Sequence, residues 1–412
     1  MWLDDLRQRL QDRDAAHTRR RARVRLGPCA PQTELAGERD DTALVGGGSH
    51  QTLLAFCSND YLGLANHPAL IQAWAEGAER HGVGSGASHL ISGHTAAHAA
   101  LEAELARWQA PFIPDAQALY FSTGYMANLA LLSALGSAEA TLFCDKLNHA
   151  SLIDGALLAQ AKVQRYPHAD LDRLAYQLQQ CSTPLKLIVT DAVFSMDGSI
   201  APVAALLRLA QAHDAWLVLD DAHGFGLLGP QGQGVLAQAE VRSQRLIYMA
   251  TLGKAAGVSG AFVAADPVII DWLVNTARTY IYTTASPPAV AHTLMRSLAL
   301  IQSEEGDHRR RLVHDRVAQL RAAPAPGQAL GWHWAASTMP IQPMMVGDNA
   351  RALSLSASLE QQGLWVPAIR PPTVPVGTAR LRVTLSASHS PADVERLIAA
   401  LAQGACQAET VR

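Results

Sequence analysis

Trp216-Leu-Val-Leu-Asp220-Asp221-Ala-His223-Gly224 is an apolar run that ends in two carboxylates and an imidazole. About thirty residues later, the run Leu246-Ile-Tyr-Met-Ala250 leads into Thr251-Leu-Gly-Lys254, a hydroxyl followed by a lysine. Apolar runs of this length are typical of buried strands. A lysine can bind an aldehyde as a Schiff base, and a carboxylate can keep a pyridine nitrogen protonated. The two stretches together therefore predict an enzyme that uses pyridoxal 5'-phosphate (PLP).

The composition is that of an ordinary globular protein. The chain has 412 residues, of which 49% are hydrophobic and 17% are charged, and its formal net charge is -3. Its length suggests two or three domains, or one large domain with a smaller one. A small negative charge gives no general attraction to nucleic acid or to an anionic membrane. We therefore expect no nucleic-acid partner and no membrane partner.

The cysteines and the N-terminal residues indicate the compartment. Five cysteines are scattered along the chain without a Cys-x-x-Cys pair, which favours a reducing compartment and argues against a zinc site. No apolar run reaches the ~20 residues that are needed to cross a bilayer. The acidic start, with Asp4 and Asp5 close to Met1, is unlike a signal peptide. The sequence therefore predicts a cytoplasmic protein that binds no metal.

The order of the apolar runs predicts an α/β fold, with a large, mostly parallel sheet and a smaller α+β domain at the C-terminus. Short apolar runs alternate with helical segments from about residue 53 to residue 300, which is the pattern of βαβ units. An arginine-rich amphipathic helix over 3–24 and a Gly46-Gly47-Gly48 loop precede them. Two strands (339–346, 381–385) and two helices (350–362, 391–402) follow. The predicted domains are an N-terminal helix and arm at 1–50, a large PLP-binding domain at 51–300 and a small domain at 301–412.

Polar side chains directly follow four of the predicted strands. They are Ser122-Thr-Gly124, Asp191 through Ser195, Asp220 through His223, and Thr251 through Lys254. Because ligands of parallel sheets bind at the carboxyl ends of the strands, these residues are expected to share one site. Ser122-Thr123-Gly124-Tyr125 also joins a strand to a helix, where backbone N–H groups can hold the phosphate of PLP. The alternative for this segment is a hydroxyl that only caps the helix.

Three further motifs resemble other kinds of site. Gly224-Phe-Gly226-Leu-Leu-Gly229 matches a dinucleotide fingerprint, but Pro230 follows where a helix should begin, so this function is rejected. His94-Thr-Ala-Ala-His98 has the spacing of zinc ligands without the glutamate of that motif, which predicts surface or interface histidines. The run Arg19-Arg20-Arg21-Ala-Arg23 is predicted to be a solvated helix end rather than an RNA-binding patch.

The sequence also resembles the α-oxoamine synthases, PLP enzymes with the fold of aspartate aminotransferase (fold type I). The resemblance extends nearly from end to end, and it is most specific in Ala368-Ile-Arg370-Pro-Pro-Thr373-Val-Pro and Thr378-Ala-Arg-Leu-Arg382. Other matching segments are Phe56-Cys-Ser-Asn-Asp60-Tyr-Leu-Gly-Leu64, Leu147-Asn-His149-Ala-Ser151, Phe194-Ser195-Met-Asp-Gly198 and Tyr282-Thr-Thr-Ala-Ser-Pro-Pro288. The fold that this resemblance implies agrees with the predicted α/β pattern.

The resemblance implies a role for each matching position. Catalysis is assigned to Lys254, which carries the cofactor and moves the α-proton, to Asp220, which holds the ring nitrogen, and to His149, which stacks on the ring. The implied cofactor-binding positions are Gly124, Tyr125, Ser195, Asp220, His223, Thr251, Lys254 and Thr284. The implied substrate-binding positions are Arg20, His149, Arg370 and Thr373. The guanidinium of Arg370 is expected to grip the amino-acid carboxylate with two parallel hydrogen bonds.

Within the family, the chain is most similar to members that join L-alanine to a pimeloyl thioester, with loss of CO2, in biotin biosynthesis. The implied substrates are L-alanine and either pimeloyl-ACP or pimeloyl-CoA. Thr284 resembles a residue that reaches the cofactor phosphate of a partner subunit, which implies a homodimer with active sites at its interface. The alternatives are a family member that uses glycine, an aminotransferase that needs no thioester, and a binding protein without a cofactor.

Two positions depart from the residues that are usual in the family. The common Phe-Gly-Lys-Gly is Leu252-Gly-Lys254-Ala255 here, and Phe225 replaces a frequent small residue. Both substitutions are expected to crowd the site, with the passage for the thioester most affected.

Overall fold

The computed structural model describes residues 1–36 and 50–410. Residues 37–49, which include the predicted Gly46-Gly47-Gly48 loop, and residues 411–412 lie outside the described part of the chain. The helices are α1 (Trp2–Ala15), α2 (Pro68–His81), α3 (Ala96–Gln109), α4 (Gly124–Leu135), α5 (Ala150–Leu158), α6 (Leu171–Gln179), α7 (Val203–Ala212), α8 (Val235–Gln238), α9 (Pro267–Thr276), α10 (Arg278–Ile281), α11 (Pro288–Ile301), α12 (Glu304–Ala322), α13 (Asn349–Gln361) and α14 (Pro391–Thr410).

The strands follow the same chain order. They are β1 (Gln32–Ala36), β2 (His50–Ala55), β3 (Gln117–Phe121), β4 (Ala140–Asp145), β5 (Lys162–Tyr166), β6 (Leu185–Asp191), β7 (Trp216–Asp220), β8 (Leu246–Thr251), β9 (Ala261–Ala265), β10 (His333–Trp334), β11 (Ile341–Gly347), β12 (Leu364–Trp365), β13 (Ala368–Ile369) and β14 (Ala379–Thr384). No described helix is long and apolar enough to cross a membrane.

The chain forms two compact units, each built from segments that are separated in sequence. The terminal unit consists of Met1–Tyr61, Met196–Gly198 and Arg311–Arg412, and the sheet unit consists of Leu62–Ser195 and Ser199–Arg310. The sequence pattern predicted the consecutive segments 1–50, 51–300 and 301–412 instead. The terminal unit combines the two ends of the chain because β2 pairs with both β1 and the C-terminal β12.

The sheet unit contains a seven-stranded sheet in the order β3-β9-β8-β7-β6-β4-β5. Five neighbouring strands, β5, β4, β6, β7 and β8, are parallel to one another. β9 is antiparallel to both of its neighbours, β3 and β8. The prediction of a large, mostly parallel sheet is therefore confirmed. Sequence analysis misses β9, because alanine, which is a weak strand former, fills three of its five positions.

The central strands of this sheet are buried, so their sequences are continuous apolar runs rather than alternating ones. Side chains from neighbouring strands, including Val189, Val218 and Ile247, pack in one cluster with Leu131 of α4. Each fully buried side chain of this kind is worth about 1.5–3 kcal/mol. Since polar groups are costly inside such a layer, they collect where the strands end.

The terminal unit is built on two small sheets. Their strand orders are β1-β2-β12 and β10-β11-β14-β13. The predicted strands at 339–346 and 381–385 correspond to β11 and β14, which pair antiparallel. The predicted helices correspond to α13 and α14, and Leu355, Leu381 and Leu397 from these elements share one buried cluster. The predicted α+β character of the C-terminal residues is confirmed.

The N-terminal helix is shorter than the predicted helix over 3–24. α1 ends at Ala15, and none of its residues is buried, so the expected apolar face has no packing partner in the described chain. The chain turns at His17, whose φ of 55° is left-handed. Arg19 and Arg21 beyond this turn both form ion pairs with Asp14. The arginine run therefore lies beyond the helix rather than at its end, so that part of the prediction is wrong, whereas the exposed Arg20, Arg21 and Arg23 agree with the predicted solvation.

Candidate active site

The carboxylate of Asp220 lies at the end of β7, near the middle of the seven-stranded sheet, and only 4% of the residue is exposed. Its Oδ1 accepts a hydrogen bond from the backbone N–H of Ala222 at 3.0 Å, and its Oδ2 accepts one from Nδ2 of Asn128 at 2.7 Å. A buried carboxylate remains charged only where such donors replace the lost water. Asp220 is thus a fixed negative charge that can hold a protonated ring nitrogen.

Lys254 lies in the turn after β8, beside His223 from the turn after β7. Nζ of Lys254 and Nε2 of His223 are 2.9 Å apart. His223 is buried and Lys254 is half-buried, so the amine is held in place without being sealed from solvent. Because β7 and β8 are parallel neighbours, the carboxylate, the imidazole and the amine meet at one edge of the sheet, as the two opening stretches predict.

His149 stands at the start of α5, with its ring exposed. Its backbone N–H donates to Oδ2 of Asp191 at 2.7 Å, and its ring Nδ1 accepts the backbone N–H of Ser151 at 3.2 Å. Asp191 ends β6 directly opposite Asp220 in the parallel register. Burial and the charge of Asp220 raise the pKa of Asp191, whereas the charge of Lys254 lowers it. His149, Asp220 and Lys254 therefore surround the same carboxyl group.

The N-terminus of α4 lies directly against the end of β8. A Cβ at Gly124 would come 2.5 Å from Cγ2 of Thr251, so only glycine permits this approach. Thr123 caps the helix by accepting the N–H of Met126 at 3.2 Å, so the predicted capping role is also real. A helix N-terminus beside a threonine hydroxyl is suited to an anion such as phosphate. Tyr125 is exposed next to Gly124, and its hydroxyl bonds the carboxylate of Asp154.

The structure places the remaining two predicted cofactor positions, Ser195 and Thr284, in loops. Ser195 is half-buried in the turn after β6. Thr284 is exposed in the segment before α11, where it forms an isolated bridge with Ser88. Two residues later, the hydroxyl of Ser286 donates to Oγ of Ser122 at 2.9 Å. The Thr284 segment therefore reaches the end of β3.

Three predicted substrate positions lie together in the terminal unit. Nη2 of Arg20 donates to Oγ1 of Thr373 at 3.0 Å, and Nη1 of Arg370 donates to the carbonyl oxygen of His17. They line one cavity of about 330 Å³. Burial and the neighbouring charge of Arg20 lower the pKa of Arg370. Two guanidinium groups in one cavity favour a bound carboxylate, which would offset their mutual repulsion.

A second buried carboxylate, Asp221, follows Asp220 and points into the protein. It accepts hydrogen bonds from the backbone N–H of Val235 and the hydroxyl of Tyr248, both at 2.7 Å. Burial, opposed by these hydrogen bonds, raises the pKa of Asp221 to about 7. Asp221 thus supports the turn that carries His223, whereas Asp220 faces the site.

The structure also bears on three other sequence predictions, which concern Phe225, the paired histidines and the glycine-rich segment after β7. Phe225 is buried and packs edge-on against Trp108 and Phe262, with ring centroids 5.0 and 5.4 Å away, and its effect on the thioester passage stays a prediction. His98 is fully buried and bonds the carbonyl oxygen of Ser286 at 2.9 Å, so it is not a surface histidine.

Residues 224–229 form turns and no helix begins there, which agrees with the rejection of the dinucleotide fingerprint.

Sequence analysis misses two polar residues that bridge the site. Asn128 and Ser151 are both 1% exposed, and Nδ2 of Asn128 donates to Oγ of Ser151 at 2.8 Å. The signal that could have identified Asn128 is its position in the otherwise apolar helix Gly-Tyr-Met-Ala-Asn-Leu-Ala-Leu-Leu. A buried amide in such a helix requires hydrogen-bond partners, and polar partners are concentrated at the site.

The donor set fits PLP. Lys254 supplies the amine that the aldehyde needs, and Asp220 supplies a buried carboxylate for the ring nitrogen. Gly124 supplies a helix N-terminus, for the phosphate, at which a Cβ would clash. Among the described residues, no group of three or more His, Cys, Asp or Glu side chains is placed to hold a metal ion.

Comparison with known proteins agrees with this site. The family model "Aminotransferase class I and II" matches residues 51–401. The 8-amino-7-oxononanoate synthases of Polaromonas naphthalenivorans and Leptothrix cholodnii are each 63% identical, over 98% of this chain and 98% of theirs. Serine palmitoyltransferase from S. paucimobilis, with a bound PLP–myriocin aldimine, superposes with a TM-score of 0.85 at 26% identity, over 99% of this chain and 98% of that one. The 8-amino-7-oxononanoate synthase of Francisella tularensis gives a TM-score of 0.73 at 30% identity, over 85% and 97%.

The chain belongs to the class I and II aminotransferase family, it has fold type I, and its cofactor is PLP. Within that family it belongs to the α-oxoamine synthases, which are acyltransferases, in the group of the 8-amino-7-oxononanoate synthases.

We predict that Gly124→Ala weakens PLP binding. The added Cβ meets Cγ2 of Thr251, and relieving such an overlap costs about 1–3 kcal/mol, a roughly 5- to 150-fold loss of affinity. Absorbance titration of the apoprotein with PLP measures the affinity. The double variant Gly124→Ala/Thr251→Ser lacks the clashing methyl group and should recover most of it. Gly84→Ala, where a Cβ meets nothing within 4 Å, is the control. An unchanged affinity in Gly124→Ala would disprove the tight contact.

We predict that Asp221→Asn removes part of the pH dependence of stability. The folded-state pKa of Asp221, about 7, is above its unfolded value, so the folded protein binds this proton more tightly. The stability it provides is full at acidic pH and falls as pH rises, by roughly 2 kcal/mol between pH 5 and pH 7. Urea unfolding at both pH values should show a smaller fall in Asp221→Asn than in the wild type. The exposed Asp172→Asn serves as the control, and equal falls in all three proteins would refute the prediction.

Proposed function

We propose that this protein catalyses the decarboxylative condensation of L-alanine with a pimeloyl thioester, giving 8-amino-7-oxononanoate in biotin biosynthesis. The observation that carries the proposal is the amine of Lys254 at 2.9 Å from His223, at the sheet edge that also holds the Asp220 carboxylate. The 63% identity to proteins named 8-amino-7-oxononanoate synthase supports the choice of reaction.

The bonds that change define what the site must do. A carbon–carbon bond forms between the α-carbon of alanine and the thioester carbonyl carbon, and the thiol of the carrier leaves. The carboxylate of alanine departs as CO2, and a proton returns to the α-carbon. Bound PLP supplies an electron sink for the negative charge that forms on the α-carbon. The protein must therefore hold two substrates, move one proton in each direction and keep the ring nitrogen protonated.

Lys254 is the proton carrier in this proposal. Lys254 would hold the cofactor through its amine, and the same amine would accept the α-proton and later return one. His223 lies 2.9 Å from this amine and keeps it at the sheet edge. Asp220, with a hydrogen-bond donor on each oxygen, is held in a fixed orientation and would hold the ring nitrogen of the cofactor. The exposed ring of His149 offers a flat surface for stacking on the cofactor ring.

The anion sites of the proposal are Gly124 with Thr251 for phosphate, and the two arginines of the terminal unit for carboxylate. Arg370 is assigned to the carboxylate of alanine, because a guanidinium binds both oxygens at once. Arg20 and Thr373, which are hydrogen-bonded to each other, are assigned to substrate binding. The thioester carrier is either ACP or CoA, since nothing in these contacts distinguishes them.

A homodimer with shared active sites is part of the proposal. Thr284 is exposed, and so are several apolar side chains on neighbouring segments: Val83, Leu90, Ile91 and Tyr282. Exposed apolar side chains near a functional segment are typical of subunit interfaces. The bridge between Ser88 and Thr284 places Leu90 and Ile91 close to the threonine in question. A cytoplasmic location agrees with the cysteine content, because five scattered cysteines without a Cys-x-x-Cys pair fit a reducing compartment.

The second candidate function is another α-oxoamine synthase with a different amino acid. The likeness to serine palmitoyltransferase supports it, because the two folds superpose over nearly the whole chain. The two functions differ in which amino acid supports thiol release.

The deciding experiment measures free thiol released from pimeloyl-CoA by the PLP-loaded protein with L-alanine, glycine, L-serine or no amino acid. We expect release with alanine and background rates with the others. Lys254→Ala should reduce the rate by at least about 10³-fold, because the variant lacks the amine that would hold the cofactor and carry the α-proton. Arg208→Ala, on α7, is the control. Release that requires glycine or serine would move the assignment to the second candidate, and a fully active Lys254→Ala would overturn the mechanism.

The dimer is tested by sedimentation velocity. Ile91→Asp places a charge on the proposed interface, so we expect it to shift the protein toward monomers and to lower its PLP content. Val268→Asp, on an apolar side chain of α9 that is similarly exposed, should leave the dimer intact. A wild-type protein that sediments as a monomer at micromolar concentration would contradict the proposal.

A further inference from the structure

One buried amide connects the two side chains that the proposed function places on the cofactor ring. Asn128 lies on α4, one turn after Gly124, and is 1% exposed. Its Nδ2 donates one hydrogen to Oδ2 of Asp220 at 2.7 Å and the other to Oγ of Ser151 at 2.8 Å. A primary amide has two N–H donors, so both bonds can form at once.

The second bond of Asn128 orients the hydroxyl of Ser151 toward the ring of His149. Because Oγ of Ser151 accepts from Asn128, its own hydrogen can point to Nδ1 of His149, 2.7 Å away. Nδ1 also accepts the backbone N–H of Ser151 at 3.2 Å. A nitrogen that accepts two hydrogen bonds carries no proton, so the neutral ring is protonated on Nε2.

The orientation of the Asn128 amide is fixed by charge. Reversing the amide would place its carbonyl oxygen against the carboxylate of Asp220, which is repulsive. In the observed orientation, Oδ1 is buried and has no hydrogen-bond partner among the described residues. The fold therefore leaves one acceptor of Asn128 unpaired while both of its donors are used.

We propose that Asn128 is a positioning residue, whose single amide sets the orientation of the Asp220 carboxylate and of the Ser151 hydroxyl, which reinforces the tautomer of His149. The inference rests on the proposed function, which gives Asp220 and His149 their roles at the cofactor. Since α4 also begins at Gly124, one rigid helix carries both the phosphate end of the site and this amide. The rise from Gly124 to Asn128 is about 6 Å along the helix axis.

The test uses Asn128→Asp, a substitution of nearly the same shape whose new carboxyl group is neutral or charged depending on pH. In Asn128→Asp, a protonated carboxyl can still donate one hydrogen bond to Asp220, whereas an ionised carboxylate repels it. The other titratable groups around Asp220 are Asp191, Asp221, His149, Tyr248 and Lys254, and they are the same in both proteins. We therefore expect Asn128→Asp to resemble the wild type at acidic pH and to lose kcat as pH rises, by about tenfold or more.

A spectroscopic readout separates positioning from a purely structural role. The absorbance of bound PLP, titrated from acidic to basic pH, should show a transition in Asn128→Asp that the wild type lacks. Asn128→Leu removes both donors, so it should have a lower kcat at every pH with an unchanged KM for pimeloyl-CoA. Ser133→Ala is the control, because Ser133 lies on the same helix but bonds only backbone carbonyl oxygens.

Two results would overturn the proposal. The first is an Asn128→Asp protein whose absorbance titration and kcat profile follow the wild type, or an Asn128→Leu protein with wild-type kcat. The second is loss of native circular dichroism in both variants but not in Ser133→Ala, which would make Asn128 a folding residue only. The absorbance titration uses bound PLP without acyl donor, so it decides on Asn128 even if pimeloyl-CoA is not the substrate.

Discussion

A negative charge buried at the end of β7 is the constraint on which the rest of the site depends. An ionised carboxylate inside an apolar layer is costly unless every oxygen has a donor. Asp220 satisfies this condition with the backbone of its own turn and with Asn128 from α4. The position of α4, the asparagine in its apolar sequence and the turn after β7 can all be understood as means of keeping this one group charged. The same charge is what makes an electron-withdrawing ring useful at this position.

The site divides its work between two kinds of structure. Groups that must be precise in position, such as Asp220 and Asn128, are buried on a strand and a helix of the sheet unit. Other groups of the sheet unit are less buried: Lys254 is half-buried, and His149 is exposed. This distribution follows from solvation, because a substrate must reach its groups through water and a fixed charge must be shielded from it.

Local sequence patterns were sufficient for β3, β6, β7 and β8 and for the main chemical groups, but not for β4, β5 and β9. Continuous apolar runs located β6, β7 and β8, and the polar residues after them located Asp220, His223 and Lys254. The failures have a common cause, since each depends on contacts between residues far apart in sequence. Asn128 has meaning only beside Asp220, and the end of α1 is set at His17 rather than by helix propensity. β9 is the clearest case, because its alanines become a strand only between two preformed neighbours.

The position of β9 has a consequence for the order in which the protein folds. β3 and β8 belong to one sheet only because β9 lies between them, hydrogen-bonded to both. On the ribosome, β3 therefore emerges long before the strand that joins it to the others, and one edge of the growing sheet stays open throughout that time. Open edges invite pairing with other chains, and contacts between distant segments form slowly. The approach of Gly124 to Thr251, which lie at the ends of β3 and β8, can form only after residue 265 has been synthesised.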